Sequence, residues 1–394
     1  MMKLSRRAFI AGSLGAAGAA IATGGAAAVF VKSAPFGRTP SPERLKRMQA
    51  SPNWRDGAFR NLEPLISPPP VGPDGKVRRR DGRLKVWWKF LFADKSALFP
   101  PAPIPVSREG AAAILGDDDD FGVWLGHSSV FLRLGGKNIL IDPVFSSYAS
   151  PVPFINRAFP VSGRPWSADD FPEIDLLVIS HDHWDHLDYP SVTALMPKVK
   201  EFACPLGVGE YLEAWGAEPE KVREGDWWET LRLCGGEISA TLTPGRHFSG
   251  RFERMNMTLW AGFAFSSRRS PLRVYFSGDG GWGSHVAEIG RRIGGFDLAF
   301  LENGQYNENW PLVHMAPKET ALTASTIRAR AVVPIHNSRF ALSRHSWCAP
   351  LDAICEEAAG RNWRLLTPQI GQSFRLDDAE QPFPKWWKDE MIKG

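Results

Sequence analysis

The apolar positions of this chain fall into short runs broken by polar and glycine-rich stretches, and the pattern becomes regular from Phe121 onward. There, "VWLGHSSVFLRLGGKNILIDP" is two β-rich runs joined at Gly135-Gly136, a two-residue hairpin signal. Further along, "IDLLVIS", "RVYFSGD", "DLAFLEN" and "AVVPIH" are apolar without alternation, as strands covered on both faces are. Between them "HVAEIGRRIG" (285–294) and "PKETALTASTIRA" (317–329) read as helices. Strands alternating with helices predict an α/β architecture with buried sheets.

Three of these runs end on a residue able to hold a metal: "VIS" on His181, "FSG" on Asp279 and "VPI" on His336. A fourth candidate, His247 in "TPGRHFSG", follows the β-like "ISATLTP". Ligand sites of α/β sheets gather beyond the carboxyl ends of strands, where loops hang from a rigid scaffold. The stretch "VISHDHWDHLDYP" (178–190) adds His183, Asp185 and His186 to His181, in a chain with nine histidines altogether. So many titrating groups placed together are costly without a partner. Imidazole suits zinc, iron, nickel and copper, and carboxylate beside it favours borderline metals such as zinc. The spacing lets two groups face one ion and two face another.

Composition narrows the reading. The 394 residues carry 43% hydrophobic and 23% charged positions, enough for one large core or two moderate ones. The net charge of +4 owes three positives to Lys3, Arg6 and Arg7, so the remainder has no basic footprint for nucleic acid. Arg6-Arg7 followed by an Ala/Gly stretch has the layout of a twin-arginine export signal over residues 1–32, which predicts passage through the twin-arginine translocase to the periplasm. The alternative is an uncleaved anchor in the inner membrane. Residues 33–80 are rich in Pro, Gly and Arg and predict a linker or extended arm, leaving 81–394 as the main domain with an N-terminal extension. "LKVWWKFLF" (84–92) and the "KWWKDEMIKG" tail have two uses, peripheral membrane contact or packing against the domain. An oxidising compartment would let Cys348 and Cys355 pair; as reduced residues they are small buried thiols.

The series His181-x-His183-x-Asp185-His186, then His247, Asp279 and His336, resembles the metallo-β-lactamase superfamily. Within it the likeness is to the branch of N-acylphosphatidylethanolamine-hydrolysing phospholipase D and the ascorbate-phosphate lactonases. It is supported by "WLGHSS", "ILIDPVFSSYASP", "SGDGGW", "VHMAPKETA" and "PQIGQ" and runs from about Phe121 to Arg375. The resemblance implies an αββα sandwich and two divalent metal ions, zinc first among them. It assigns His181, His183 and His247 to one metal, Asp185, His186 and His336 to the other, and Asp279 to both. It also implies a metal-dependent hydrolase acting on a small-molecule or lipid-like substrate, with Asp185, Asp279 and His314 as catalytic residues. Phosphodiester cleavage is the first reading, and lactone or carboxylic-ester hydrolysis the alternative. A metal-binding protein without turnover has no need of an open, bridged water, and Asp279 in its Ser-Gly-Asp context argues against antibiotic hydrolysis. Asp142 is the expected acceptor behind a ligating imidazole, and His127 either lines the site or supports the hairpin. After His336 the chain reads "NSRF", where the phospholipase branch has a Trp-Gly-Thr-Phe-like stretch. His285 and His345 are expected on the surface or in packing.

Overall fold

The computed structural model describes residues 33–65, 96–116, 120–251 and 254–388. The export signal and the "LKVWWKFLF" segment lie outside the described residues. Two seven-stranded sheets form the body. The first takes β1 (Phe121–Trp124), β2 (Val130–Leu134), β3 (Lys137–Ile141), β4 (Ile174–Val178), β5 (Val199–Pro205), β6 (Val222–Gly225) and β14 (Ser373–Arg375), in the order β6-β5-β4-β3-β2-β1-β14. The second takes β7 (Thr230–Leu233), β8 (Ile238–Thr243), β9 (Gly262–Ser267), β10 (Arg273–Phe276), β11 (Phe296–Glu302), β12 (Ala329–Ile335) and β13 (Arg364–Leu365), in sequential order.

Each sheet is antiparallel in one half and parallel in the other; β3 to β6 and β10 to β13 are the parallel halves. The hairpin at Gly135-Gly136 is there, with φ of +59° and +77°, the left-handed region that a tight primed turn demands and that glycine enters without a Cβ clash. Alternate residues of the apolar strands serve two cores. Leu298 and Phe300 of β11, Val274 and Phe276 of β10, and Val333 of β12 face the first sheet, meeting Phe131, Ile139 and Leu177. Ala299, Leu301, Tyr275 and Val332 face outward under α5 (Ser284–Arg292), α6 (Pro317–Thr326) and α7 (Ala349–Ala358). Being buried on both faces explains why these strands carry no polar alternation.

The arm expected over 33–80 is a correction for the part described. Residues 33–65 pack onto the domain, through α1 (Pro42–Gln49), with Met48 and Phe59 fully buried. Arg44 on α1 makes ion pairs with Glu210 at 2.7 Å, Glu213 at 2.5 Å and Glu224 at 3.0 Å, on α4 (Gly209–Ala214) and β6. Contacts of this charged kind leave no apolar periodicity in the sequence. At the other end Trp386 and Trp387 are buried, and the Trp387 indole donates to Asp352 at 2.9 Å, so this part of the tail is packing. The four cysteines are free thiols, Cys348 and Cys355 among them.

Candidate metal centre

The centre is built where the strands end. Beyond β3, Asp142 sits at a φ of +43° with its carboxylate turned into the loop after β4. Its Oδ1 accepts from the Ser180 N–H at 2.7 Å, and its Oδ2 accepts from Ser180 Oγ at 2.5 Å and from His186 Nδ1 at 2.7 Å. With Nδ1 held by Asp142, His186 turns Nε2 toward the cluster, 3.1 Å from Asp279 Oδ2. The loop closes at Asp188, whose side chain caps α3 (Tyr189–Leu195) by accepting from the Ser191 N–H.

Two groups of donors face each other across Asp279. In one, His183 Nδ1 lies 2.9 Å from His181 Nε2 and 3.2 Å from His247 Nε2, while His247 Nδ1 turns away to the Val313 carbonyl at 3.2 Å. In the other, Asp185, His186, His336 and His127 bring their donor atoms within 4.8 Å of one another. Asp279 reaches both: its Oδ2 is 3.1 Å from His186 Nε2, 3.8 Å from His247 Nε2 and 3.9 Å from His181 Nε2, and its Oδ1 is 3.2 Å from His336 Nδ1. All seven residues nominated as metal ligands therefore meet in one cluster. His127 lies in it too, fully buried, with Nε2 2.8 Å from Asp185 Oδ2 and its ring 4.3 Å from that of His336. The "NSRF" loop joins the two sheets here, since His127 N donates to Asn337 O at 3.0 Å and His336 N to His127 O at 2.9 Å. Gly304 presses on the same strand end; a Cβ there would stand 2.0 Å from the His336 carbonyl oxygen.

Glu302 was not nominated from the sequence. It ends β11 with no exposure, accepts from the Gly280 N–H at 2.6 Å and contacts His314 Nδ1. The strand-end pattern that marks the other donors covers "DLAFLEN" as well, so the signal was present. His314 stacks on His336 at 5.0 Å and stands 5.2 Å from His247, at the edge of the cluster. His345 accepts from the Gln305 N–H at 2.8 Å and stacks on Tyr306, outside it.

Burial sets the charges. It holds the pKa values of His181, His247 and His336 well below the ordinary imidazole range and lowers those of His127 and His183 to about 4. Burial likewise pushes Asp279 up to about 7 and Glu302 well above the carboxyl range. His186 is the exception: burial opposes its charge, but Asp279 and Asp185 outweigh that and raise it. Most of the imidazoles are thus neutral at pH 7, the form that ligates. His186 Nε2, His336 Nε2, His127 Nδ1 and Asp279 Oδ1 find no hydrogen-bond partner among the described residues. Buried imidazole nitrogens and a carboxylate oxygen without partners fit divalent cations.

Residues 137–337 match the family model of the beta-lactamase superfamily domain. The chain belongs to this superfamily. An uncharacterized protein of Mycobacterium tuberculosis is 36% identical over 347 residues, which cover 86% of this chain and 88% of that one. The N-acyl-phosphatidylethanolamine-hydrolyzing phospholipase D 1 of Caenorhabditis elegans is 33% identical over 307 residues, 73% of this chain and 84% of its own. The isothiocyanate hydrolase from Delia radicum gut bacteria shares the fold at a TM-score of 0.51 and 16% identity, over 64% of this chain and 98% of that one. The chain is a hydrolase of the metallo-β-lactamase superfamily, in the branch of the phospholipase relatives, and its facing sheets with helices outside are the αββα sandwich of that family.

Proposed function

We propose that the protein is a binuclear zinc-dependent phosphodiesterase of phospholipase D type, acting on a lipid-like substrate. The observation that carries this is Asp279, whose carboxylate lies within 3.1–3.9 Å of ring nitrogens from both donor groups. A phospholipase D relative at 33% identity supports the reaction class. His181, His183 and His247 would hold one ion, Asp185, His186 and His336 the other, and Asp279 both. When bound, two cations supply a nucleophile at neutral pH and a clamp for charge developing on phosphoryl oxygens. The chain's own residues prepare that chemistry. Asp142 orients the ring of His186, and His127 holds Oδ2 of Asp185. His314, tethered to Glu302 at the rim, is placed to hold a proton for the departing alkoxide. A phosphodiester offers two charged non-bridging oxygens to the paired cations, whereas a lactone offers one carbonyl oxygen on which charge develops.

The test compares kcat/KM for a phosphodiester and a lactone on the zinc-loaded protein, with elemental analysis alongside. About two zinc ions per chain and faster phosphodiester cleavage are expected. A lactone preferred about a hundredfold, some 2.7 kcal/mol of transition-state binding, would replace this reading with a lactonase on the same donors.

A further inference from the structure

Asn61 lies outside the donor cluster yet grips the backbone of one of its members. Its Nδ2 donates to the His247 carbonyl at 2.6 Å, and its Oδ1 accepts from the His247 N–H at 3.0 Å. A side-chain amide matches the donor and acceptor of one residue in a single orientation, so the pair fixes both position and tilt of that backbone. The segment carrying Asn61 is anchored on both sides. Phe59 N donates to Asn256 O at 2.8 Å, Glu63 Oε1 accepts from the Ser284 N–H at 2.7 Å, and Arg246 Nη2 donates to Pro64 O at 2.6 Å. At the start of the same strap, Arg251 Nη1 donates to Pro35 O at 2.6 Å while its Nε donates to Asp182 O at 2.6 Å. The Arg251 guanidinium rests on Trp184 at 4.1 Å, and Phe36 meets the same ring edge-on at 5.1 Å. The strap thus grips the loop of His247 through Asn61, while its contact at Trp184 lies on the loop that carries donors of both sets. Asp185, His186 and His336 are braced differently, by His127, Asp142 and Ser128.

We propose that Asn61 is a positioning residue for the metal held by His181, His183 and His247, acting through the backbone of His247. The proposal rests on the two-ion reading above. Holding a ligand's backbone acts as an outer-sphere partner does, through the geometry a bound ion requires. The effect belongs to one ion and leaves the other untouched.

Zinc-free full-length protein is titrated with zinc against a chromophoric chelator, for wild type, Asn61→Ala, Asn61→Asp and Glu63→Gln. Wild type is expected to show two binding steps. In Asn61→Ala one step weakens about 10- to 100-fold and the other is unchanged, while the unfolding midpoint of the zinc-free protein stays at the wild-type value. Asn61→Asp, close in shape, sets a carboxylate oxygen against the His247 carbonyl and weakens the same step. Glu63→Gln, on the same strap, leaves both steps alone. Wild-type affinities in Asn61→Ala or Asn61→Asp would overturn the proposal. So would weakening of both steps together with a fallen midpoint of the zinc-free protein, the mark of general loosening. Wild type taking up a single zinc would refute the two-ion reading instead, and Asn61 would then stand or fall on whether that one step weakens.

Discussion

At the residue scale the centre depends on one carboxylate. Asp279 stands between two sets of nitrogens, its carboxylate within 3.1–3.9 Å of ring nitrogens from both. Asp279→Ala removes a shared negative charge that would hold the cations, and is expected to cut kcat by about a hundredfold or more, because the clamp for developing phosphoryl charge weakens with the metal. Elemental analysis of the same variant should show less than the wild-type metal content, and wild-type turnover would sink the bridging role. The donors themselves were legible in the sequence because each follows an apolar run, and the topology turns those runs into adjacent strand ends. Glu302 was passed over because an acid closing "DLAFLEN" reads as the strand's polar boundary. Asn61 left no trace at all, since it bonds to backbone and its partner lies far away in sequence. The sequence leaves His127 open between lining the site and supporting the hairpin. Its ring lies against Asp185 and His336, within the donor cluster.

At the scale of elements, strands and helices were legible from apolar runs, whereas the N-terminal strap was not. The Pro, Gly and Arg content of 33–80 suggested an exposed arm; α1 instead docks through Arg44 and one buried methionine. Glu210 and Glu224 are almost fully buried, and Arg44 keeps a little water contact, its side chain 12% exposed. Removing the cation takes away the guanidinium these carboxylates share, leaving Glu210 with Arg38 and Glu224 with the Gly207 and Gly209 N–H groups, so Arg44→Ala is expected to lose about 3 kcal/mol in urea unfolding. A loss under about 0.5 kcal/mol would reduce the cluster to an ordinary surface ion pair. Acid offers a second check at this scale, on the turn before β4. Burial opposes the charge of Asp170, but Arg108, the Ser167 N–H and Arg164 outweigh it and hold the carboxyl below its ordinary 3.8. A depressed carboxyl stabilises the fold above 3.8, and that contribution disappears as pH falls through the folded-state value. Asp170→Asn should therefore be less stable than wild type at neutral pH and approach it as pH falls through the lowered folded-state value, as read from thermal midpoints across the pH range. A gap that stays constant with pH would assign the loss to packing.

At the scale of the whole molecule, the donors come from both sheets, and the loops that carry them are joined across the core at His127 and Asn337. No half of this centre can form before the two sheets pack together, so metal capture follows folding. That order bears on how the protein reaches its compartment. A route that threads an unfolded chain would deliver it without its metal, to be loaded on the far side. The twin-arginine route carries a folded protein, and Arg6-Arg7 ahead of an Ala/Gly stretch matches its signal. Among the described residues no helix is long and apolar enough to cross a membrane, so an anchor would have to come from outside them. The proposal is that the precursor folds and takes up metal in the cytoplasm and is then exported to the periplasm. Arg6→Lys with Arg7→Lys leaves charge and hydropathy nearly unchanged while removing the paired guanidinium groups that the signal is read by. The double variant should accumulate in the cytoplasm as a folded precursor with wild-type metal content and turnover, measured by cell fractionation and elemental analysis. Equal periplasmic delivery of variant and wild type would refute the export signal, and recovery of both in the inner-membrane fraction would favour an uncleaved anchor.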